Sequence, residues 1–398
     1  MNLSLRWSEI MNENPRAAAL LKAGQELAPL IRENAAYADV HGRLAPEVLK
    51  AYHEAGLFGM WVPEVLGGAE ADPLTALELC EQISYEDASA GWVLFTGSVG
   101  IATPAIYLPD AGVEEIFSGG RMPVGAGQGT RSGTAVRVDG GYRLSGEWNF
   151  ASSSPYASHI FTLGTVEDTK EPLLFVLPVS EVTLDTDSWD VIGLRGTGSY
   201  DYRIDDVFVP EQRTYPAGID GNPVRGGAAS RLGLVQTSMI GHTGWALGVG
   251  RRLLDELSAS MRQKAGRAGA QAGSDSSHEQ YANAEAQLRS ARALAYETWT
   301  DAWQTLSRGG DVSKRQSSLM RLALNNATWS AFRVGTFVNN AAGTRALRDG
   351  AIQRFYRDLH AGAAHIMSAP PVLRDTGREL AGLADDERWF YVGLVGQQ

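Results

Sequence analysis

The strongest constraint on the fold is a change of sequence pattern near Gly119 that reverses later in the chain. Between 121 and 215 the sequence is rich in Gly, Thr, Val and aromatic residues at short spacing, whereas the flanking segments repeat apolar residues at helical spacing. The order helices, strands, helices predicts an α+β chain with a β-sandwich or β-barrel between two helical parts. We therefore expect a helical domain at 1–118, a β domain at 119–218 and a helical bundle at 219–398.

Local signals support this order. Asp139-Gly140-Gly141 lies between two alternating runs, TAVRV and YRLSGEWNF, which is typical of a β-hairpin. The run PLLFVLPV predicts a buried strand, and Pro210 ends another. After the β block, helical periodicity predicts a four-helix bundle from the segments 231–262, 278–308, 313–343 and 348–368.

Composition excludes several classes of partner and location. The chain has 398 residues and a formal net charge of −11 without a basic cluster, which argues against nucleic-acid binding. The single Cys80 excludes an internal disulfide and suits a reducing compartment. Charged residues such as Arg6 and Arg16 interrupt the N-terminal region, and no apolar run of membrane-spanning length stands out. We therefore expect a cytoplasmic protein with no signal peptide and no membrane partner.

Three longer strings carry a family resemblance: WVPEVLGG (61–68), SGEWNFASSSPYASH (145–159) and WDVIGLRGTGSYDYRIDDVFVP (189–210). Together with the order of elements, they resemble the acyl-CoA dehydrogenase superfamily over nearly the whole chain. The resemblance implies an N-terminal helical domain, a middle β domain whose strand lies against a flavin, and a C-terminal four-helix bundle. It also implies a homotetramer.

The second string has residues that suit a flavin ring, which needs a flat slot and backbone donors at its polar edge. Trp148 and Phe150 alternate along a strand, so we expect them to share one aromatic face. The Gly-rich turn GAGQGT (125–130) offers N–H groups for anionic atoms, although no helix follows it as in a dinucleotide fingerprint. Trp148 and Phe150 also suit ordinary core packing, and GAGQGT is a weak motif, so only the resemblance favours a flavin over these alternatives. The candidate cofactor residues here are Gln128, Gly129, Thr130, Trp148, Phe150, Ala151, Ser152 and Ser153.

The resemblance implies further cofactor contacts in the bundle. Arg262 matches an arginine that meets the flavin phosphate, with a solvated charge as the alternative. Gly343 and Thr344 match a turn that a neighbouring subunit lends to the flavin, with a plain helix-to-helix turn as the alternative. Arg357 and Asp358 either touch the cofactor or form a structural pair.

The bundle lacks the carboxylate base that an acyl-CoA dehydrogenase needs. In that family a Glu follows the Arg-Asp pair of the last bundle helix or lies on the first one. Here no Asp or Glu lies between Leu359 and Arg374, or between Gly221 and Leu254. Instead RDLHAGAAH (357–365) resembles the branch of two-component flavin-dependent monooxygenases. That resemblance implies reduced FAD or FMN from a separate flavin reductase, O2 as cosubstrate, and oxygen transfer through a C4a-hydroperoxide.

His365 and Ser152 are the candidate catalytic residues. His365 matches the histidine of the monooxygenase pattern, and imidazole titrates near neutrality; a histidine favoured by the helix dipole is the alternative. Ser152 matches a serine placed near the flavin N5, with Ser153 where a glycine often follows; a strand-end serine is the alternative. We expect His360 to be a surface or subunit-contact residue. No metal site is expected, because no third ligand lies near the two histidines in sequence.

An aromatic substrate is predicted from two helices that flank the flavin in the resembled fold. Trp92 and Phe95 share one helix face, and Met239, Thr243 and Trp245 lie in a stretch without fixed charge. Such a lining suits a small planar ring of indole-like or phenolic type, and core packing is the alternative. Three functions therefore stay open at this point: a monooxygenase, an acyl-CoA dehydrogenase with a displaced base, and a non-catalytic flavin-binding or scaffold protein.

Overall fold

A computed structural model of the protein describes residues 14–217, 223–264 and 275–396. The segment in which a signal peptide would lie is largely outside the described residues, as is the expected boundary at 218 and 219. Within the described ranges, five α-helices precede the sheet: α1 (Pro15–His41), α2 (Pro46–Glu54), α3 (Pro73–Glu86), α4 (Ala88–Tyr107) and α5 (Asp110–Phe117).

Helix α4 is the central helix of the fold. It begins after Asp87, whose side chain accepts the Ala90 N–H and so caps the helix. By length and composition alone it could cross a membrane, which the sequence analysis did not anticipate, but 94% of the relevant window is buried inside the protein. Its apolar character therefore corresponds to a core helix of the fold.

The middle of the chain forms one seven-stranded sheet in the order β5-β6-β2-β1-β3-β4-β7. The hairpin predicted at Asp139-Gly140-Gly141 is present, with Val138 paired to Gly141. Strands β1 and β3 run parallel, which the sequence pattern did not indicate. The strands are β1 (Gly125–Val138), β2 (Gly141–Ala151), β3 (His159–Val166), β4 (Pro172–Pro178), β5 (Thr183–Asp185), β6 (Tyr200–Pro210) and β7 (Thr214–Pro216).

Both strands of the hairpin become irregular at the end away from its turn. The register of β1 with β3 shifts between Gln128 and Ser132, and that of β2 with β6 shifts between Trp148 and Ala151. The Trp148 indole N–H donates to the Arg131 carbonyl at 2.8 Å, so the two irregular segments are adjacent. Such bulges turn side chains out of the regular alternation, and here they occur among the candidate cofactor residues.

In the part of the chain after the sheet that the structure describes, there are five α-helices and a small hairpin: α6 (Gly233–Lys264), α7 (Asp275–Ser307), α8 (Lys314–Ala342), α9 (Ala351–Ala363), α10 (Pro370–Leu380), β8 (Glu387–Phe390) and β9 (Gly393–Gly396). The four predicted helices are present, but α9 ends at Ala363, before the predicted end at 368. Helix α10 and the hairpin were not predicted. Long-range contacts hold them, since the Asp375 carboxylate accepts the Leu394 N–H and the buried Arg321 donates to the Tyr391 carbonyl.

The two helical parts share one hydrophobic core, whereas the sheet has a core of its own. Leu94 of α4, Trp245 of α6 and Phe355 of α9 belong to the helical core. Trp148 and Phe175 belong to the core of the sheet. The order of helices and strands is as predicted, and the boundaries of the three domains stay a prediction.

Helices α6 and α9 pack closely at Gly362, which leads to a stability prediction. A Cβ atom at Gly362 would overlap the Trp245 indole. We expect Gly362→Ala to lower the free energy of unfolding by about 1–3 kcal/mol, because extra volume strains a packed core. Gly377→Ala in α10 is the matched control. No atom lies within 4 Å of its Cβ position, so that variant should gain up to about 1 kcal/mol from helix propensity. Equal stability of the two variants in denaturant unfolding would contradict this packing.

Candidate functional site

Aromatic and histidine rings from three segments meet where α4, α6 and the end of α9 converge. The Trp92 ring lies 5.0 Å from Trp245 and 5.6 Å from His365, measured between ring centroids. His242 lies 5.2 Å from Trp92 and 5.1 Å from His365. Phe95 completes this group, with its centroid 4.9 Å from that of Trp92. We call these five residues the ring cluster. The sequence analysis had selected all of them except His242 as site candidates.

Two glycines let the helices approach closely enough to form the ring cluster. Gly362 lies against Trp245, and a Cβ at Gly241 would overlap Phe95. The Trp245 N–H donates to the Ala88 carbonyl at 3.0 Å, which satisfies the indole in the interior.

His365 follows α9 and begins a short turn over Ile366–Ser368. Its Nδ1 accepts the Met367 N–H at 3.3 Å, so the neutral ring carries its proton on Nε2. The residue is exposed to solvent, while the Trp92 and His242 rings pack against one side of its imidazole. This desolvation lowers the pKa of the imidazole to about 4, and His365 is therefore neutral at pH 7. His360 contacts the Phe332 and Tyr356 rings instead, outside the ring cluster.

Ser152 lies on the other side of Trp92. Its Oγ accepts the Trp92 indole N–H at 3.0 Å and shares a hydrogen bond with the Ser199 hydroxyl at 2.7 Å. Ser153 has a positive φ of 74° and lies in the interior, where its hydroxyl bonds to Thr96 at 2.8 Å. One indole therefore contacts both candidate catalytic residues, since its ring faces His365 and its N–H points to Ser152.

The strand face expected for Trp148 and Phe150 does not form. Trp148 is buried and stacks on Tyr202 with ring centroids 5.3 Å apart, as part of the core of the sheet. Phe150 is 59% exposed and has a positive φ of 62°. The bulge in β2 is the physical reason, because it breaks the alternation that would place both rings on one face. Ala151 is fully buried, so the accessible aromatic ring at this strand end is Phe150.

The side chain of Gln128 hydrogen-bonds to the backbone of the Gly-rich turn in which it lies. The Gln128 Oε1 accepts the backbone N–H groups of Thr130 and Arg131 at 2.8 and 2.6 Å. Gly129 faces the Tyr391 ring, whose nearest carbon is 3.5 Å from the Cβ position of the glycine. The C-terminal hairpin therefore reaches the candidate cofactor turn, a contact that no sequence motif indicates.

Arg262, the cofactor candidate near the end of α6, lies beside the turn that follows α8. Arg262 is exposed and donates to the Ser258 hydroxyl at 2.8 Å. Gly343 and Thr344 lie in an exposed turn, and the next residue, Arg345, donates to Gln263 at 3.4 Å. The structure thus brings these three candidates to one part of the surface, apart from the ring cluster.

The Arg357-Asp358 pair makes contacts within the chain. Arg357 pairs with Asp39 at 2.6 Å and so joins α9 to α1. Asp358 is buried and accepts the Leu194 N–H at 2.6 Å. Desolvation, together with the nearby Asp87, raises the pKa of Asp358 to about 7. These contacts favour the structural alternative for both residues.

The predicted substrate residues are all closely packed. Trp92 is 5% exposed, Phe95 4%, and Met239, Thr243 and Trp245 are fully buried. The Thr243 hydroxyl donates to the Met239 carbonyl at 2.6 Å. Access to the ring cluster is therefore from the side of His365. Across the described ranges, no group of three or more His, Cys, Asp or Glu side chains could hold a metal ion.

Known proteins share this architecture. Residues 18–112 match the model of the acyl-CoA dehydrogenase N-terminal domain, and residues 240–370 match that of the C-terminal domain. An indole-3-acetate monooxygenase of Pseudomonas putida is 31% identical over 86% of this chain and 89% of its own length. The flavin-dependent monooxygenase oxygenase subunit HsaA of Mycobacterium tuberculosis is 29% identical over 89% of this chain and 93% of its own.

A crystal structure of the HsaA monooxygenase from M. tuberculosis superimposes with a TM-score of 0.85 at 26% identity, covering 92% of this chain and 98% of that one. The likeness therefore extends from the sequence to the whole fold, including the order of helical and strand segments. On these matches, the chain belongs to the acyl-CoA dehydrogenase family and, within it, to the flavin-dependent monooxygenases.

Proposed function

We propose that this protein is the oxygenase component of a two-component system. It takes reduced FAD or FMN from a separate flavin reductase and uses O2 to hydroxylate a small aromatic substrate in the cytoplasm. The observation that carries the proposal is the arrangement around Trp92. A neutral, accessible His365 packs against the indole ring, and the Ser152 hydroxyl oxygen accepts the indole N–H. The names of the two relatives, an indole-3-acetate monooxygenase and an oxygenase subunit, support the same reaction class.

The residues at the ends of β1 and β2 fit a flavin ring. Phe150 offers an exposed aromatic face beside Trp189, with ring centroids 6.1 Å apart. The bulged turn at Gln128–Thr130 presents polar atoms outside the sheet ladder, and Ser152 has a hydroxyl within reach of the same strand end. A reduced flavin held there supplies the activation of O2. In a homotetramer, Gly343 and Thr344 of a neighbouring subunit would complete the site, next to Arg262.

The chain's own residues would act as neutral hydrogen-bonding groups. His365 offers an Nε2–H donor toward a substrate oxygen, because its Nδ1 is held by the Met367 N–H. The Trp92 N–H holds the Ser152 oxygen in place next to the end of the strand that carries Phe150. Behind His365, the buried rings of Trp92, His242 and Trp245 exclude water, which strengthens polar contacts on that side.

An aromatic substrate fits the surroundings of His365. The accessible histidine is backed by Trp92 and Trp245, and no charged side chain lies among the rings of the cluster. Such a lining favours indole-like or phenolic rings through apolar burial and edge-to-face contacts, and it disfavours a phosphorylated thioester.

The structure gives no support to a dehydrogenase with a displaced base. Asp87 and Asp358 are the buried carboxyl groups of this region, and each accepts a backbone N–H, from Ala90 and Leu194 respectively. Burial raises the pKa of both carboxyl groups, Asp87 to about 6 and Asp358 to about 7. Both carboxyl groups are therefore occupied by hydrogen bonds that hold the fold together, and a monooxygenase is favoured over a dehydrogenase.

A reconstitution assay tests the proposal. The purified protein, a generic NADH-dependent flavin reductase, FAD or FMN, air and either indole or phenol should yield a hydroxylated product, whereas omission of either protein should abolish it. NADH should not be consumed by the oxygenase alone. Reduction of a bound flavin by an acyl-CoA, without any aromatic product, would instead support a dehydrogenase.

His365→Ala should lower the rate of product formation by about 10²–10⁴, because one positioned proton donor is lost. Flavin binding should stay within a few fold, since the side chain is assigned to the substrate side. His360→Ala is the matched control on the same helix tail, and it should keep near-wild-type turnover. Full activity of the His365 variant, measured as product per NADH consumed, would remove this residue from the mechanism.

The depressed pKa of His365 also predicts a pH effect on stability. Its pKa of about 4 in the folded state lies below the ordinary value of about 6.5, so the unfolded chain binds the proton more tightly. The free energy of unfolding should therefore decrease as the pH falls from about 6.5 toward 4. His365→Asn, which cannot titrate there, should show a shallower fall of the melting temperature over that range. Parallel curves for the two proteins would show that His365 has an ordinary pKa.

A further inference from the structure

His242 is a buried side chain to which the proposed chemistry assigns no role. It is 2% exposed, and neither ring nitrogen has a hydrogen-bond partner within the described part of the chain. Buried polar atoms in native folds are almost always paired, because an unpaired one destabilises the fold. An imidazole kept unpaired inside a candidate site is therefore typical of a group whose partner is a ligand.

The rings around His242 do not supply that partner. The Phe95 ring is apolar and lies nearly parallel to the imidazole, at 4° with centroids 6.4 Å apart. The indole N–H groups of Trp92 and Trp245 already donate elsewhere, as described above. The fourth neighbour is His365, whose ring is perpendicular to His242 at 5.1 Å and faces the solvent. A ligand would therefore reach His242 past His365.

The two histidines offer different hydrogen-bonding atoms. Desolvation and the adjacent His365 lower the pKa of His242 well below its usual range, so both rings are neutral. A neutral imidazole has one N–H and one lone pair. The lone pair of His365 accepts the Met367 N–H, which leaves that ring as a donor. Of the two histidines, His242 is therefore the one whose ring has a nitrogen lone pair free to accept a hydrogen bond.

We propose that His242 is a specificity-determining residue that accepts a hydrogen bond from an O–H or N–H on the substrate ring. The proposal rests on the proposed function, in which an aromatic ring binds at the ring cluster. A hydroxyl or a ring N–H held by His242 fixes one edge of that ring at the buried end of the cluster. An aromatic without such a donor leaves the buried acceptor unpaired, and the site discriminates against it.

Equilibrium binding without turnover tests this inference. The quenching of intrinsic tryptophan fluorescence, or calorimetry, would compare indole with N-methylindole and phenol with anisole. The wild-type protein should bind the member with the donor about tenfold more tightly or better, and His242→Phe should erase that difference. His242→Asn, which keeps an acceptor, should restore part of it. His360→Phe, outside the ring cluster, should leave the preference unchanged.

Folding is not expected to confound the comparison. Replacement of an unpaired buried imidazole by an apolar ring of similar shape is close to neutral or stabilising. His242→Phe should therefore keep or raise the melting temperature while losing the preference, which a merely structural residue would not do. If the Phe variant fails to fold, His242→Asn takes its place. The ratio of its affinities for the two members of each pair is then compared with the same ratio for the wild-type protein.

The outcomes separate this inference from the proposed function. Equal binding of both members of each pair by the wild-type protein, no measurable binding of indole or phenol, or an unchanged preference in a folded His242→Phe would overturn the role of His242. A preference that disappears as expected, together with no oxidised product in the reconstituted system, would refute the proposed function and leave His242 as a ligand-binding residue.

Discussion

The hydrogen bond from the Trp92 indole to the Ser152 hydroxyl is the interaction on which the site depends. It joins the central helix α4 to the end of β2 at 3.0 Å, while the ring of the same side chain packs against Trp245 and His365. An indole suits this position because its single polar atom lies at one edge and the rest of the ring is apolar. Trp92 can therefore be buried without an unpaired polar group, and the three parts of the chain meet at one residue.

Charge is kept out of the interior around this contact. His365 and His242 are neutral because desolvation lowers the pKa of each imidazole, and the same effect raises the pKa of the nearby carboxyl groups of Asp87 and Asp358. Neutral donors and acceptors act strongly in such an environment without the cost of burying an ion. This property separates the site from that of a dehydrogenase, whose reaction needs an ionised carboxylate at the flavin.

The parts of the structure that local pattern encodes were predictable. The Asp139-Gly140 turn and the buried strand Pro172–Pro178 follow from a few adjacent residues, and the bundle helices from their periodicity. The rest depends on distant contacts. No short stretch of the sequence predicts the pairing of Arg357 with Asp39 or the C-terminal hairpin. His242 had a weak signal, as a lone histidine in a helical stretch without fixed charge, but its four ring contacts exist only in the fold.

The end of β2 shows why the aromatic face expected for Trp148 and Phe150 does not form, while the role expected of Ser152 stays a prediction. In a regular strand, Trp148, Phe150 and Ser152 would share one face. The positive φ values of Phe150 and Ser153, 62° and 74°, interrupt this alternation on both sides of Ser152. A bulky residue with positive φ costs on the order of 1–3 kcal/mol and persists where the surroundings enforce it. Here the strained backbone turns the Phe150 ring outward while Ser152 still faces Trp92, so one bulge positions both the ring that we propose for the flavin and the hydroxyl that we propose for catalysis.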